Sequence, residues 1–347
     1  MGITKESFGT TSKNEEVSLY TLKNKNGMEA KVLDYGATLQ SLLLPMGDGS
    51  KLDVVQGFET VAAYEVNDPN FGSTIGRNGN RIGKGTFTLN GKEYKLDIND
   101  GENNLHGGFA GYHKRMWKTE VKDAENQICF SILSPDGDQG FPGNVEVQVS
   151  YTLTDEDELK ISYFAKPDAD TIINMTNHSY FNLEGQDSTS VLEQTVWIDG
   201  DQVTATTADL IPTGVILDVE GTPLDFRKEK AIGRDIFADY EPLVFGHGYD
   251  HNWILNHPGS FRKVARLHSD KTGKTMEVFT DLPGMQMYTA NFLDGTLIGK
   301  GGVKYEQRSG VCFETQYFPD APNHENFPST VVKAGEVYQT TTTYRFY

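Results

Sequence analysis

Hydrophobic and polar positions alternate along most of the chain, the period of a strand with one face buried. The clearest run is Val145, Val147, Val149, Tyr151 and Leu153, with Glu146, Gln148, Ser150 and Thr152 on the other face. Past the acidic turn Asp155 to Glu158, Leu159, Ile161 and Tyr163 begin a second alternating run. Between Thr86 and Leu96 the chain carries Asn90-Gly91, the two-residue loop of a tight hairpin, in a register that sets Phe87 opposite Tyr94. Further turn pairs stand at Asn26-Gly27, Asp100-Gly101, Asp136-Gly137, Asp199-Gly200 and Asp294-Gly295, and Val337 to Tyr347 closes the chain on a β-rich stretch. Helical patterning is confined to short pieces near Val61–Tyr64 and Asp235–Tyr240. No linker, composition break, low-complexity tract or repeat interrupts the sequence. Many short strands punctuated by turns predict an all-β sandwich with few short helices, residues 1–347 forming one domain.

Composition adds exclusions. Glycine is abundant, 36 of 347 residues, which suits a fold of tight turns because glycine adopts positive φ without steric cost. Lys and Arg number 31 against 49 Asp and Glu, a formal charge of −18. That balance disfavours nucleic acid and anionic membrane surfaces as partners, and weighs mildly against a phosphorylated substrate. The two cysteines, Cys129 and Cys312, sit far apart in apolar surroundings and read as buried strand thiols, with neither a disulfide framework nor zinc spacing. The polar stretch Met1–Glu16 has no signal-peptide run, and no segment approaches the ~20 apolar residues of a membrane span. The formal glycosylation acceptors Asn174 and Asn177 flank a candidate site, where a glycan would be awkward. The expected location is cytoplasmic.

Five polar clusters carry candidate chemistry. Gly76–Gly85 is rich in glycine, but no register satisfies the phosphate-loop or dinucleotide patterns, which leaves a turn displaying Asn80 and Arg81. In Asn104-Leu-His-Gly-Gly108, His106 precedes two glycines that would permit close approach of a ligand. Thr176–Leu183 centres on His178. Gly246–Asn252 offers His247, Asp250 and His251, without a recognisable metal-ligand spacing. In Val311–Ala321, Glu314 follows an apolar strand and precedes an aromatic, proline-containing loop.

Together, Asn80-Arg81, the Leu-His-Gly-Gly around His106, the Thr-Asn-His-Ser-Tyr-Phe-Asn-Leu around His178, the Gly-Tyr-Asp-His around Asp250, and Phe-Glu-Thr-Gln with Pro-Asp-Ala around Glu314 resemble the galactose mutarotase (aldose 1-epimerase) family, in this order. Pro283–Phe292, containing Gln286, is a sixth matching block, and the resemblance spans roughly residues 15–345. Asn78-Gly79 departs from it, since many relatives carry apolar residues there; this is expected to loosen the loop presenting Arg81 and to bear on substrate preference more than on activity.

The resemblance implies a large antiparallel β-sandwich with an open carbohydrate cleft, acting without cofactor or metal on a free aldohexose such as galactose or glucose, as a monomer or dimer. It implies Glu314 as general base, His178 as general acid, His106 as a hydrogen-bond partner near the ring oxygen, and Asn80, Arg81, Asp250 and Gln286 as holders of hydroxyl groups. The chemistry asks for the same residue types. Opening a hemiacetal ring removes a proton from the C1 hydroxyl while the ring oxygen is protonated, work for a carboxylate and an imidazolium. Glu314 is then expected to be ionised and His178 protonated, with Arg81 helping to maintain the charges, and the two groups are expected about 4–8 Å apart around the sugar. Two other readings use the same residues. A glycoside hydrolase would pair Asp250 with Glu314, and a sugar-binding protein would keep the cleft without catalysis.

Overall fold

The alternating pattern folds as it reads. The computed structural model describes residues 2–347. Among the described residues, antiparallel strands form sheets of five, nine and six strands and four two-stranded ladders. Val145–Leu153 and Glu158–Pro167 lie side by side, the first with strictly alternating burial, and the last strand, Tyr338–Phe346, completes the middle of the nine-stranded sheet. In the 86–95 hairpin Phe87 pairs with Tyr94 and their rings stack, centroids 5.3 Å apart. Of the five turn pairs, four have their glycine at positive φ; Gly200 is the exception.

Two short α-helices occur among the described residues, Val61–Glu65 and Glu241–Gly246. The first is expected from sequence and is capped by the Thr60 side chain. The second corrects the expectation for Asp235–Tyr240. Helix starts one residue after Tyr240, where Pro242 supplies the fixed φ of a first turn and lacks only an N–H that would have no helical partner.

One large apolar cluster draws on all three sheets: Leu22 and Val32 from the five-stranded, Val147 and Tyr344 from the nine-stranded, Trp253, Met287 and Phe313 from the six-stranded. The six-stranded sheet positions the polar clusters. Its order is Tyr180–Phe181, Val311–Gln316, Gly284–Tyr288, Asp250–Ile254, Gln202–Thr206, Pro212–Asp218. Successive side chains of a strand point to opposite faces. Met285, Met287, Phe313 and Trp253 therefore enter the core, while Gln286, Tyr288, Cys312, Glu314 and Asp250 share the other face.

Candidate active site

Register decides which polar residues meet. Gln286 pairs directly with Glu314, and Tyr288 pairs with Cys312 on one side and Asp250 on the other. Tyr180 pairs with Cys312 across the next ladder. His178, two residues before Tyr180, falls on the same row as Glu314 when that register is continued, although 136 positions separate them in sequence. Its backbone is fixed by Ser73 and Gly72, whose C=O and N–H bond to its N–H and C=O. Glu314 itself lies inside the strand, not at its end as the sequence suggested.

A second layer covers this face. Arg81–Ile82 pairs with Asn104–Leu105, and the chain then turns through Asn80 and His106, both at positive φ. The two residues clamp each other: the His106 N–H donates to the Asn80 C=O and the Asn80 N–H donates to His106 Nδ1, each at 3.2 Å. Gly107 is required here because a Cβ would stand 2.2 Å from the Gly76 carbonyl oxygen. Backbone makes a close approach at this glycine. The Arg81 loop is not loosened by Asn78-Gly79. Gly79 N–H donates to the Asn174 C=O at 2.6 Å and Asn174 N–H to the Arg77 C=O at 3.0 Å, a short parallel bridge that pins it. Asn174 and Asn177 are buried, with their amides donated to the Tyr317 and Gly72 carbonyls, so neither acceptor is accessible to a glycan.

All seven residues singled out from sequence, Asn80, Arg81, His106, His178, Asp250, Gln286 and Glu314, line one cavity of about 280 Å³. That volume lies at the lower edge of small-molecule sites, usually ~300–1,000 Å³, and suits a single-ring ligand. His178 Nε2 stands 3.6 Å from Glu314 Oε1, closer than the 4–8 Å expected, because the shared row of the sheet holds them as direct neighbours. Glu314 Oε2 has no hydrogen-bond partner among the described residues, although Glu314 is 2% exposed. Gln286 Nε2 donates to Asp250 Oδ1 at 2.7 Å, and Arg81 Nε donates to Asp100 Oδ2 at 2.8 Å. A larger, more open groove of about 890 Å³ shares Arg81 and is lined by Lys84, Asp100, Glu102 and Asp320; it contains no comparable acid–base pair.

Burial opposes the charged forms expected of the pair. Burial pushes the His178 imidazole down to about 4. Burial, then the Asp250 charge, raises the Glu314 carboxyl well above its usual range, and the opposing pull of Arg81 is the smaller effect. Both directions favour the neutral forms over the ion pair. The reason is desolvation: neither group sees enough water to support a charge. His106 is likewise held neutral, by burial first and then by His178 and Arg81. Since its Nδ1 accepts the Asn80 N–H, its ring hydrogen is on Nε2.

That tautomer bears on metal binding. Donor atoms of His106, His178 and Glu314 lie within 4.8 Å of one another, a set of two imidazoles and a carboxylate that zinc accepts. A ring whose Nδ1 lone pair is taken by a backbone N–H carries its hydrogen on Nε2 and has no lone pair left for a metal, so the residues do not fit one. Nor do Asp250 and His251 form a metal pair. They are consecutive on a strand and face opposite ways, His251 accepting the Asp250 N–H at Nδ1 and reaching the Pro242 carbonyl with Nε2.

Sequence reasoning missed Tyr180 and Tyr288, whose rings flank His178, and the contact of Cys312 Sγ with His178 Nδ1 at 3.6 Å. Each lies two residues from a recognised one, so the strand period was the available signal. Asp68, Asn70 and Phe292 also line the cavity, from loops that carry no such signal.

Known proteins resemble this chain over nearly its whole length. Residues 18–345 match the family model described as Aldose 1-epimerase. The chain is 44% identical to galactose mutarotase of Bos taurus over 319 residues, 92% of this chain and 91% of the relative. It is 37% identical to aldose 1-epimerase of Escherichia coli (strain K12) over 331 residues, 94% of each. Among solved structures, the aldose epimerase homologue from C. elegans superposes with a TM-score of 0.88 at 30% identity, covering 95% of this chain and 99% of that one. Galactose 1-epimerase from Lactobacillus acidophilus NCFM gives 0.87 at 27% identity, covering 99% and 98%. Among the described residues no helix is long and apolar enough to cross a membrane.

Proposed function

The chain belongs to the aldose 1-epimerase family, isomerases of sugars, and we propose that it interconverts the α and β anomers of free aldohexoses, galactose and glucose among them, with Glu314 as general base and His178 as general acid. The observation that carries this reading is the buried His178–Glu314 pair, 3.6 Å apart, on the wall of a cavity sized for one sugar ring.

A pair holding one proton suffices for the whole cycle. With Glu314 ionised and His178 protonated, Glu314 takes the C1 hydroxyl proton as His178 Nε2 gives its proton to the ring oxygen, and the C1–O5 bond breaks. The open-chain aldehyde then faces protonated Glu314 and neutral His178. Rotation about C1–C2 turns the other face of the carbonyl to O5. On reclosure His178 takes the O5 proton, Glu314 returns one to O1, and the original distribution is restored. Burial favours the distribution that accompanies the open-chain intermediate. The same neutral distribution is favoured with the cyclic sugar bound, so forming the reactive ion pair is part of the barrier to ring opening. His106, neutral with its hydrogen on Nε2, is suited to donate to the ring oxygen or a neighbouring hydroxyl. Asn80, Arg81, Asp250 and Gln286 supply donors and acceptors for the remaining hydroxyls. We read residues 1–347 as one catalytic domain, supported by the apolar cluster that draws on all three sheets.

Polarimetry of freshly dissolved α-D-galactose and α-D-glucose, with and without the protein, tests the reading. Faster decay of rotation to the same equilibrium value is expected. A decay indistinguishable from the spontaneous one would overturn it, and release of reducing sugar from a neutral glycoside would establish a hydrolase instead.

A further inference from the structure

Each turnover, read as above, takes a proton from His178 Nε2 and later returns one to it. The ring must therefore keep Nε2 as its working nitrogen in both charge states, and Nδ1 must hold its hydrogen throughout. A hydrogen-bond acceptor at Nδ1 enforces that tautomer. In hydrolytic triads the acceptor is a carboxylate, which also stabilises the imidazolium. Here the side-chain atom within reach of Nδ1 is Sγ of Cys312, at 3.6 Å, and the ring also interacts with its own backbone. Cys312 is wholly buried, one strand period from Glu314 and paired with Tyr180 and Tyr288, so the sheet fixes the sulfur beside the imidazole.

We propose that Cys312 is a positioning residue for His178, accepting the Nδ1 hydrogen at its sulfur and leaving Nε2 free to give and take the working proton. The inference rests on the assignment of His178 as the proton-carrying residue. A thiol sulfur is a weak, uncharged acceptor. It selects the tautomer without the electrostatic pull of a carboxylate, which would hold the proton on His178 and oppose its transfer. Burial favours the protonated thiol, and the proposed bond requires its S–H to turn away from Nδ1. The other titratable groups facing the ring are Glu314 on the same strand as Cys312, Tyr180 stacked at 5.1 Å, Tyr288 from the neighbouring strand and His106 edge-on at 5.2 Å. Arg81 and Asp250 line the same cavity, and His113 lies behind His106. Among the described residues Cys312 supplies the one side-chain hydrogen-bond contact to Nδ1.

The test compares Cys312→Ala and Cys312→Ser with wild type, by 15N NMR of the histidine rings and by steady-state polarimetry with galactose. Wild type is expected to show neutral His178 with its hydrogen on Nδ1. Ala, lacking the sulfur, should weaken the preference for that tautomer and lower kcat by about tenfold, the small end of what removing such an outer partner costs, with KM little changed. Ser, whose hydroxyl accepts equally well, should keep the tautomer and stay within about threefold of wild type. Three results would each overturn the proposal: hydrogen on Nε2 in the wild-type ring, wild-type kcat in the Ala variant, or a Ser variant as impaired as Ala, which would mark a packing role. Failure of the wild-type protein to speed mutarotation would instead sink the proposed function, while the ring spectra would still report on Cys312.

Discussion

Replacing Glu314 by Gln removes one proton-accepting oxygen and almost nothing else. The side chains have the same shape. Glu314 Oε2 has no hydrogen-bond partner among the described residues, so an amide nitrogen there breaks no bond. Burial and Asp250 favour the neutral carboxyl, and an amide is close to its protonated form. A carboxyl kept neutral above its unfolded value of 4.5 costs stability as pH rises, a cost the amide does not carry, so at neutral pH the variant should be at least as stable as wild type. The sugar meets a neutral group of the same size in both proteins, so KM should move by less than about threefold. The loss falls on the chemical step. A positioned acid or base contributes about 10²–10⁴-fold, which at 1.36 kcal/mol per decade is about 3–5 kcal/mol in the barrier. The assay is polarimetry of freshly dissolved α-D-galactose over a range of concentrations, with the spontaneous rate subtracted, alongside thermal denaturation and calorimetric sugar binding. A variant with kcat within about fivefold of wild type could not have lost a base of that strength. A raised KM with unchanged kcat would reassign Glu314 to holding a hydroxyl.

Four further outcomes are expected. His106→Gln keeps an N–H near the position of Nε2 and should retain more activity than His106→Ala by about tenfold, the worth of one hydrogen bond to a developing charge; equal activities would refute the neutral-donor role. Asp250→Asn should raise KM more than it lowers kcat, measured in the same assay. Exhaustive chelation should leave turnover unchanged, and recovery on adding back an ion after its loss would show that His106 can abandon the Asn80 N–H and bind metal. His251 has its folded pKa depressed to about 4 by burial, so its contribution to stability is present above the unfolded value of 6.5 and lost as pH falls toward 4. Denaturant melts should show wild type losing about 3 kcal/mol across that window relative to His251→Asn, which keeps an acceptor for the Asp250 N–H but does not titrate; parallel curves would contradict it.

Much of this protein is legible in its sequence because the strand period is local. Alternation alone specifies Val145–Leu153 and its partner, the Asn90-Gly91 loop sets Phe87 on Tyr94, and the glycine-bearing turns divide the strands. The motifs around His178, Asp250 and Glu314 are equally local, and the resemblance they carry names their chemistry. Extending the same period by two residues would have found Tyr180, Tyr288 and Cys312. What sequence could not decide is long-range. Ladder register, fixed by packing of Met287, Phe313 and Trp253 in the core, sets His178 beside Glu314 rather than a sugar's width away. The helix beginning at Glu241 rather than at Asp235 depends on where Pro242 meets the preceding turn. Protonation is the furthest from the sequence of all. Asp, Glu and His have the same intrinsic acidity wherever they stand in a chain, and only the enclosure of His178, His106 and Glu314 between two layers of backbone removes the water that would keep them charged.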